Sequence, residues 1–152
     1  MKEHSYKDNV GHYFAVVPER ELQDIMTGKV HYLTRLPIEL ELNRGDVIFL
    51  GSDFTPTVVR CAIEVSEVLD MSPMTAWRRF KMALPLNFID NWSICSEVTL
   101  IRINDVRVFN EAIMCTAFGI ESSSFHEARG RLVRINKSIG YKGNSFYFIG
   151  RF

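Results

Sequence analysis

The feature that most constrains the fold of this chain is a series of short β-like runs separated mainly by turns and loops. Residues 58–69 are the clearest run, in which Val59, Cys61, Ile63 and Val65 alternate with polar residues. The other runs are residues 13–17, 30–36, 47–50, 98–109, 132–135 and 145–152. Strands joined so often by loops argue against a parallel βαβ sheet. The pattern predicts an α+β fold, a small mixed or antiparallel β-barrel of about six strands with two or three flanking helices.

The first helix is predicted to start at Pro18, because proline is favoured at the first helical position. Leu22, Ile25 and Met26 follow at helical spacing, and Gly28 suits a left-handed C-terminal cap. The second helix is predicted to begin with the cap Ser72 and to end before Pro85, with a buried stripe of Met74, Trp77, Phe80 and Leu84. A single helical turn is expected to start at Ser124 and to end at Gly130.

Composition indicates one domain of an ordinary folded protein, with 152 residues, 47% apolar content and 24% charged content. Residues 1–12 are polar and are predicted to form an N-terminal arm before a domain of residues 13–152. The chain lacks both a signal-peptide pattern and an apolar run of membrane-spanning length, so we expect a cytoplasmic protein.

Cysteine and histidine positions give no support for a disulfide framework or a metal site. The three cysteines, Cys61, Cys95 and Cys115, are widely spaced, and the four histidines are scattered. We therefore expect no metal and no cofactor.

Charge is divided unevenly along the chain, although the formal net charge is zero. No acidic residue follows Glu127, whereas six basic residues do, and Arg129, Arg131 and Arg134 are the most densely spaced. This split predicts a basic face that meets phosphates. The alternative is that these cations face solvent or pair with acids elsewhere in the fold.

The segment TGKVHYLTRL, residues 27–36, carries the other candidate binding residues. Arg35 has a planar guanidinium suited to a phosphate or a base edge, and His31 shares its strand face by parity. Tyr32 is a candidate for base stacking, although a tyrosine on a strand also suits the core. Lys29 lies next to them after the predicted helix cap.

Two alternatives apply to these basic residues. Arg35 could instead pair with Asp46 or Glu64. Arg78 and Arg79 on the second helix could line the same cleft as the segment, or merely solvate their helix.

Four features together resemble the ASCH domain, a branch of the PUA-like superfamily of small β-barrels associated with RNA. Gly28 and Arg35 lie seven residues apart, as in the family pattern G-x-K-x-x-x-x-R. The Gly45-Asp46 turn precedes a strand, CAIEV follows at residues 61–65, and SFYFI closes the chain at residues 145–149. The resemblance implies a PUA-like barrel over nearly the whole chain.

The family's activities suggest RNA-binding modules, a single-strand ribonuclease and a small amidohydrolase of acylated cytidine nucleosides. The amidohydrolase uses a lysine and a threonine where this chain has Val30 and Leu33, and Leu33 also occupies the place of the usual glutamate. A valine can neither activate water nor hold a charge, so that chemistry is not expected.

The resulting hypothesis is an RNA- or nucleotide-binding protein with a cationic cleft and a basic C-terminal face. Its alternatives are a hydrolase with Lys29, His31 or a distant glutamate as acid or base, and a protein-interaction domain with a vestigial cleft. Whether the chain forms a homo-oligomer stays open. The predicted binding residues are Lys29, His31, Tyr32, Arg35, Arg78, Arg79, Arg129, Arg131 and Arg134.

Overall fold

A computed structural model describes residues 10–135 with their side chains and the backbone of residues 138–142 and 145–149. The strands are β1 His12–Val17, β2 Tyr32–Arg35, β3 Val47–Ser52, β4 Val58–Met71, β5 Val98–Met114, β6 Val133–Arg134, β7 Ser138–Lys142 and β8 Ser145–Ile149. The α-helices are α1 Glu19–Met26, α2 Pro73–Phe80, α3 Phe88–Trp92 and α4 Phe125–Ala128. Short 3₁₀ helices lie at Lys81–Ala83, Cys115–Phe118 and Ser122–Ser124.

Six strands form one curved, half-barrel sheet in the order β2-β5-β4-β3-β1-β6. β1 runs parallel to β3, and the other neighbouring strands are antiparallel. β7 and β8 form a separate antiparallel pair. The predicted α+β, PUA-like fold is confirmed. β7 was not expected from the sequence.

The parallel pair of β1 and β3 is buried on both faces. Alternate side chains of a strand point to opposite faces, so Tyr13 and Ala15 enter one core while Phe14 and Val16 enter another. In the second core the ring centroids of Phe49 and Phe118 lie 4.7 Å apart. Such continuous apolar runs are typical of parallel strands covered on both sides.

The helix ends largely follow the predicted capping residues. Gly28 has φ +82° after α1, and the Ser72 hydroxyl accepts a hydrogen bond of 3.2 Å from the Thr75 amide. The prediction that Met74 is buried is wrong, because 49% of its surface is exposed. The buried face of α2 contains Pro73 and Ala76 instead, which turns Met74 outward. No helix in the described ranges is long and apolar enough to cross a membrane.

β5 is much longer than the sequence suggested, because it continues to Met114 through a segment with no clear pattern. The irregularity expected at residues 104–105 is present. Glu64 faces Asp105 and Val65 faces Ile103, so Asn104 is the extra residue of a bulge.

Gly51 in β3 is a position where a side chain has no room. A Cβ atom there would lie 2.7 Å from the Val58 carbonyl oxygen, which belongs to the backbone and cannot turn away. We expect Gly51→Ala to lower the free energy of unfolding by about 1–3 kcal/mol, measured by chemical denaturation. Gly28→Ala is the comparison: it meets no atom within 4 Å and should cost only about 1 kcal/mol, for its positive φ. Equal losses would show that crowding at Gly51 is relieved by backbone movement.

Candidate functional site

The predicted cations fall into two groups at opposite ends of β2. Lys29 and His31 are exposed just before the strand begins. Arg129 and Arg131 lie beyond its other end, where the Leu36 amide donates a hydrogen bond of 2.8 Å to the Gly130 carbonyl. The five residue steps from His31 to Leu36 separate the two ends by about 16 Å. The described backbone therefore does not bring all the predicted residues to one place.

The group at the start of β2 lies beside α2 and the turn after it. The His31 amide donates to the Ala83 carbonyl at 2.9 Å, and the His31 carbonyl accepts from the Ile103 amide at 2.9 Å. Arg78 and Arg79 are exposed on α2, and the Arg79 guanidinium lies 4.8 Å from the centroid of the Phe80 ring.

Tyr32 lies in the core beneath α2. Only 5% of its surface is exposed, and its ring centroid is 4.7 Å from that of Phe80. Stacking of Tyr32 on a base would require this packing to open.

Arg35 is almost completely buried, with 2% of its surface exposed. Its guanidinium donates hydrogen bonds to four backbone carbonyls. They belong to Thr34 at 2.8 Å, Ala128 at 2.8 Å, Val16 at 3.2 Å and Arg131 at 3.4 Å. Arg35 thus joins β1, β2 and the segment that follows α4.

The two acids considered as alternative partners of Arg35, Asp46 and Glu64, accept none of its four hydrogen bonds. Asp46 accepts hydrogen bonds from the backbone amides of Gly11 and Asn43. The acid whose charge acts on Arg35 is Glu21 of α1. Burial raises the pKa of Glu21 to about 7, although the nearby Arg35 charge opposes that rise. Burial also lowers the pKa of Arg35 to about 10.

A cavity of about 390 Å³ lies where the chain leaves β2. Residues 37–40 form one side, and Glu127, Arg131 and Leu132 form the other. Its walls combine aliphatic side chains with two carboxylates and one guanidinium. Arg131 crosses between the sides, since its Nη1 donates to the Pro37 carbonyl at 3.4 Å.

Arg131 lines the cavity, and the exposed Arg129 and Arg134 lie two and three residues from it in the sequence. None of them forms an ion pair with a carboxylate within residues 10–135. The Arg134 guanidinium lies 6.0 Å from the centroid of the Tyr13 ring. The side chains of Lys137, Lys142 and Arg151, the remaining basic residues after Glu127 in the sequence, lie outside the described residues.

Other kinds of chemistry have little support in the part of the chain that the structure describes. No group of three His, Cys, Asp or Glu side chains there could hold a metal ion. Burial raises the pKa of both Cys61 and Cys115 to about 12, which keeps these thiols protonated and unreactive near neutral pH.

Sequence reasoning missed the acidic members of the cavity, Glu39 and Glu127, and the buried Glu21. Glu127 stood in the capping-box pattern, but Ser124 makes no side-chain cap in the structure. The hydrophobic pattern of residues 36–42 could have shown that this loop packs back on the core, since Ile38 and Leu42 contact it. No local signal indicates that Glu39 faces the segment after α4, because the two are about 90 residues apart in the chain.

Comparisons with known proteins show similarity at the level of structure. No protein-family model and no curated protein sequence matches the chain. The solved structure of ASCH from Zymomonas mobilis superposes with a TM-score of 0.68 and 14% identity, covering 82% of this chain and 87% of that one. A tyrosine-to-phenylalanine and a serine-to-alanine variant of the same protein give the same score, with 90% and 88% of their chains covered. The chain therefore has an ASCH-type fold, as the resemblance in sequence implied.

Proposed function

We propose that this protein binds single-stranded RNA or a nucleotide through Arg129, Arg131 and Arg134, which we call the arginine cluster. The observation that carries this proposal is that the three guanidinium groups are exposed without a carboxylate partner among the described residues. Exposed arginines without a carboxylate partner favour phosphate, which accepts two parallel hydrogen bonds from a guanidinium. The ASCH-type fold agrees with this proposal but does not carry it.

The adjacent cavity supports a nucleotide over a simple anion. The arginine cluster offers contacts for phosphate, while the aliphatic side chains of Ile38, Leu40 and Leu132 offer contacts for a flat organic group. Sequence-tolerant RNA binding commonly combines a cationic track with a surface that holds bases.

The hydrolase alternative has no such observation in its favour. A catalytic base is normally oriented by a second side chain. Within the described residues no side-chain hydrogen bond orients His31 or Lys29. Their catalytic role stays a prediction.

The proposal predicts weak, salt-dependent RNA binding that needs the arginine cluster. We expect Arg129→Ala, Arg131→Ala and Arg134→Ala together to lower the affinity for a 12-nucleotide RNA by about tenfold or more at low salt. The slope of log affinity against log salt should fall by about 2, because three phosphate contacts are removed. Fluorescence anisotropy across a salt series measures both quantities.

The matched control removes the same charge elsewhere. Arg20→Ala, Arg102→Ala and Arg107→Ala together should leave the slope nearly unchanged. Arg78→Ala with Arg79→Ala tests the group at the other end of β2. Equal losses in the cluster variant and the control would contradict a specific surface, and the absence of wild-type binding at low salt would refute RNA as the ligand.

A further inference from the structure

We propose that the cavity beside the arginine cluster is a subsite for one guanine base, read by the carboxylates of Glu39 and Glu127. This inference rests on the proposed function and deepens it, since the arginine cluster would hold the phosphate of the same nucleotide. The cavity is an open depression of about 390 Å³, a volume within the range of small-molecule sites, lined by four apolar and three charged residues.

Hydrogen bonds join the two sides of the cavity. The Leu36 amide donates to the Gly130 carbonyl at 2.8 Å, and Arg131 Nη1 donates to the Pro37 carbonyl. From beneath, Arg35 donates to the carbonyls of Ala128 and Arg131. These bonds fix the segment after α4 against the chain that leaves β2, so the cavity is preformed and a ligand need not order a loop.

The polar lining selects the kind of base. Glu39 and Glu127 are both exposed, and an ionised carboxylate supplies only hydrogen-bond acceptors. Guanine presents two adjacent donors on its Watson–Crick edge, the N1–H and the 2-amino group, which match the two oxygens of one carboxylate. Uracil presents carbonyl oxygens on both sides of its single N–H, and these would face the negative charge. Adenine and cytosine each offer one amino group beside a ring acceptor.

The charges of the cavity also favour different positions for the base and the phosphate of the nucleotide. The carboxylates of Glu39 and Glu127, which line the cavity, repel phosphate, so the phosphate is expected outside it, on the exposed Arg129 and Arg134. Arg131 uses one nitrogen for the Pro37 carbonyl, which leaves its other N–H groups for the ligand. A guanosine phosphate unit within a single strand satisfies both regions.

The experiment compares oligouridine RNAs that carry one central guanosine, inosine, adenosine or uridine. Inosine keeps the N1–H of guanosine and lacks only the 2-amino group. We expect the guanosine RNA to bind about tenfold more tightly than the other three, the discrimination typical of one good bidentate contact. Glu39→Gln combined with Glu127→Gln should abolish this preference while the affinity for the uridine RNA is kept or raised.

Glu41→Gln is the matched control, because Glu41 is exposed on the same loop and does not line the cavity. It should leave the guanosine preference intact. Equal binding of all four RNAs by the wild-type protein would overturn the guanine subsite and leave the proposed function standing. A preference that persists in the double variant would also overturn it, since the carboxylates would not read the base.

A titration with guanosine monophosphate and with uridine monophosphate, followed by NMR shifts, separates the two proposals if no RNA binds. Shifts of the cavity residues with the guanosine compound alone would support the subsite and a nucleotide as the ligand, while RNA as the ligand is refuted. Equal or absent shifts with both compounds would overturn the subsite as well.

Discussion

Replacing Arg35 with alanine should lower the free energy of unfolding by about 3–5 kcal/mol, the loss expected when one partner of a buried charged network is removed. The guanidinium donates to carbonyls from three separate parts of the fold, represented by Val16, Thr34 and Ala128. In the alanine variant these buried acceptors lose a charged donor, and Glu21 loses the nearest recorded cation. Urea denaturation followed by fluorescence measures the loss.

Arg35→Lys separates the charge from the geometry of this group. Lysine keeps the positive charge but carries one nitrogen in place of three, so it cannot reach all four carbonyls at once. We expect a loss between those of wild type and Arg35→Ala, on the order of 2 kcal/mol. Arg131→Ala is the control, because its side chain is exposed and only its backbone carbonyl contacts Arg35. It should change stability by less than about 1 kcal/mol.

The RNA affinity of these variants also shows whether Arg35 contacts the ligand or only supports the cavity. If Arg35 positions the cavity without touching a ligand, Arg35→Lys should weaken binding only as far as the segment after α4 loosens. A loss of stability below about 1 kcal/mol in Arg35→Ala would contradict the structural role described for its guanidinium.

Much of the fold could be predicted from the sequence because its signals are local. The alternation in β4, the cap at Ser72 and the left-handed Gly28 each depend on a few neighbouring residues. The continuation of β5 to Met114 could not be predicted in this way, because it pairs with the start of β4, which is distant in sequence. β7 pairs with its close neighbour β8, but Gly140 and the flanking polar residues weaken its strand pattern.

The site was less predictable than the fold, and Arg35 shows why. A strand arginine was expected to face a ligand, because burial of a cation is costly without several acceptors. Those acceptors are backbone carbonyls, which every residue carries, so no pattern of side chains signals them. Glu21 gave no signal either. How deeply its side chain is buried depends on how α1 packs against the sheet.

Glu21 should make the protein more stable as the pH falls from about 7.5 to 5. Burial raises its pKa from the ordinary value of 4.5 to about 7, with Asp24 and Asp53 adding to the rise and Arg35 opposing it. The folded state therefore binds a proton that the unfolded state releases between these values. Linkage then requires that the contribution of Glu21 to the free energy of unfolding is fully present below pH 4.5 and is lost as the pH rises through 7. Between pH 5 and 7.5 this loss amounts to about 2 kcal/mol.

His12 should change the free energy of unfolding in the opposite direction over nearly the same pH range. Burial lowers its pKa from 6.5 to about 4, although the charge of Asp46 opposes this shift. Here the unfolded state binds the proton more readily, so the contribution is present above pH 6.5 and lost as the pH falls toward 4. The two effects have similar size, and we expect the stability of the wild-type protein to change little between pH 7.5 and 5.

Removing either group should reveal the other. Glu21→Gln removes the contribution of Glu21 and leaves that of His12, so the free energy of unfolding should fall by about 2 kcal/mol from pH 7.5 to 5. His12→Gln leaves that of Glu21, and the same quantity should rise by about 2 kcal/mol. Urea denaturation at half-unit steps of pH measures both slopes, and the slope is informative even if a substitution lowers stability at every pH. The double variant should again be nearly flat. Slopes of the same sign in the two single variants would contradict the assignment, because no common shift of baseline stability can reverse the sign of one group's linkage.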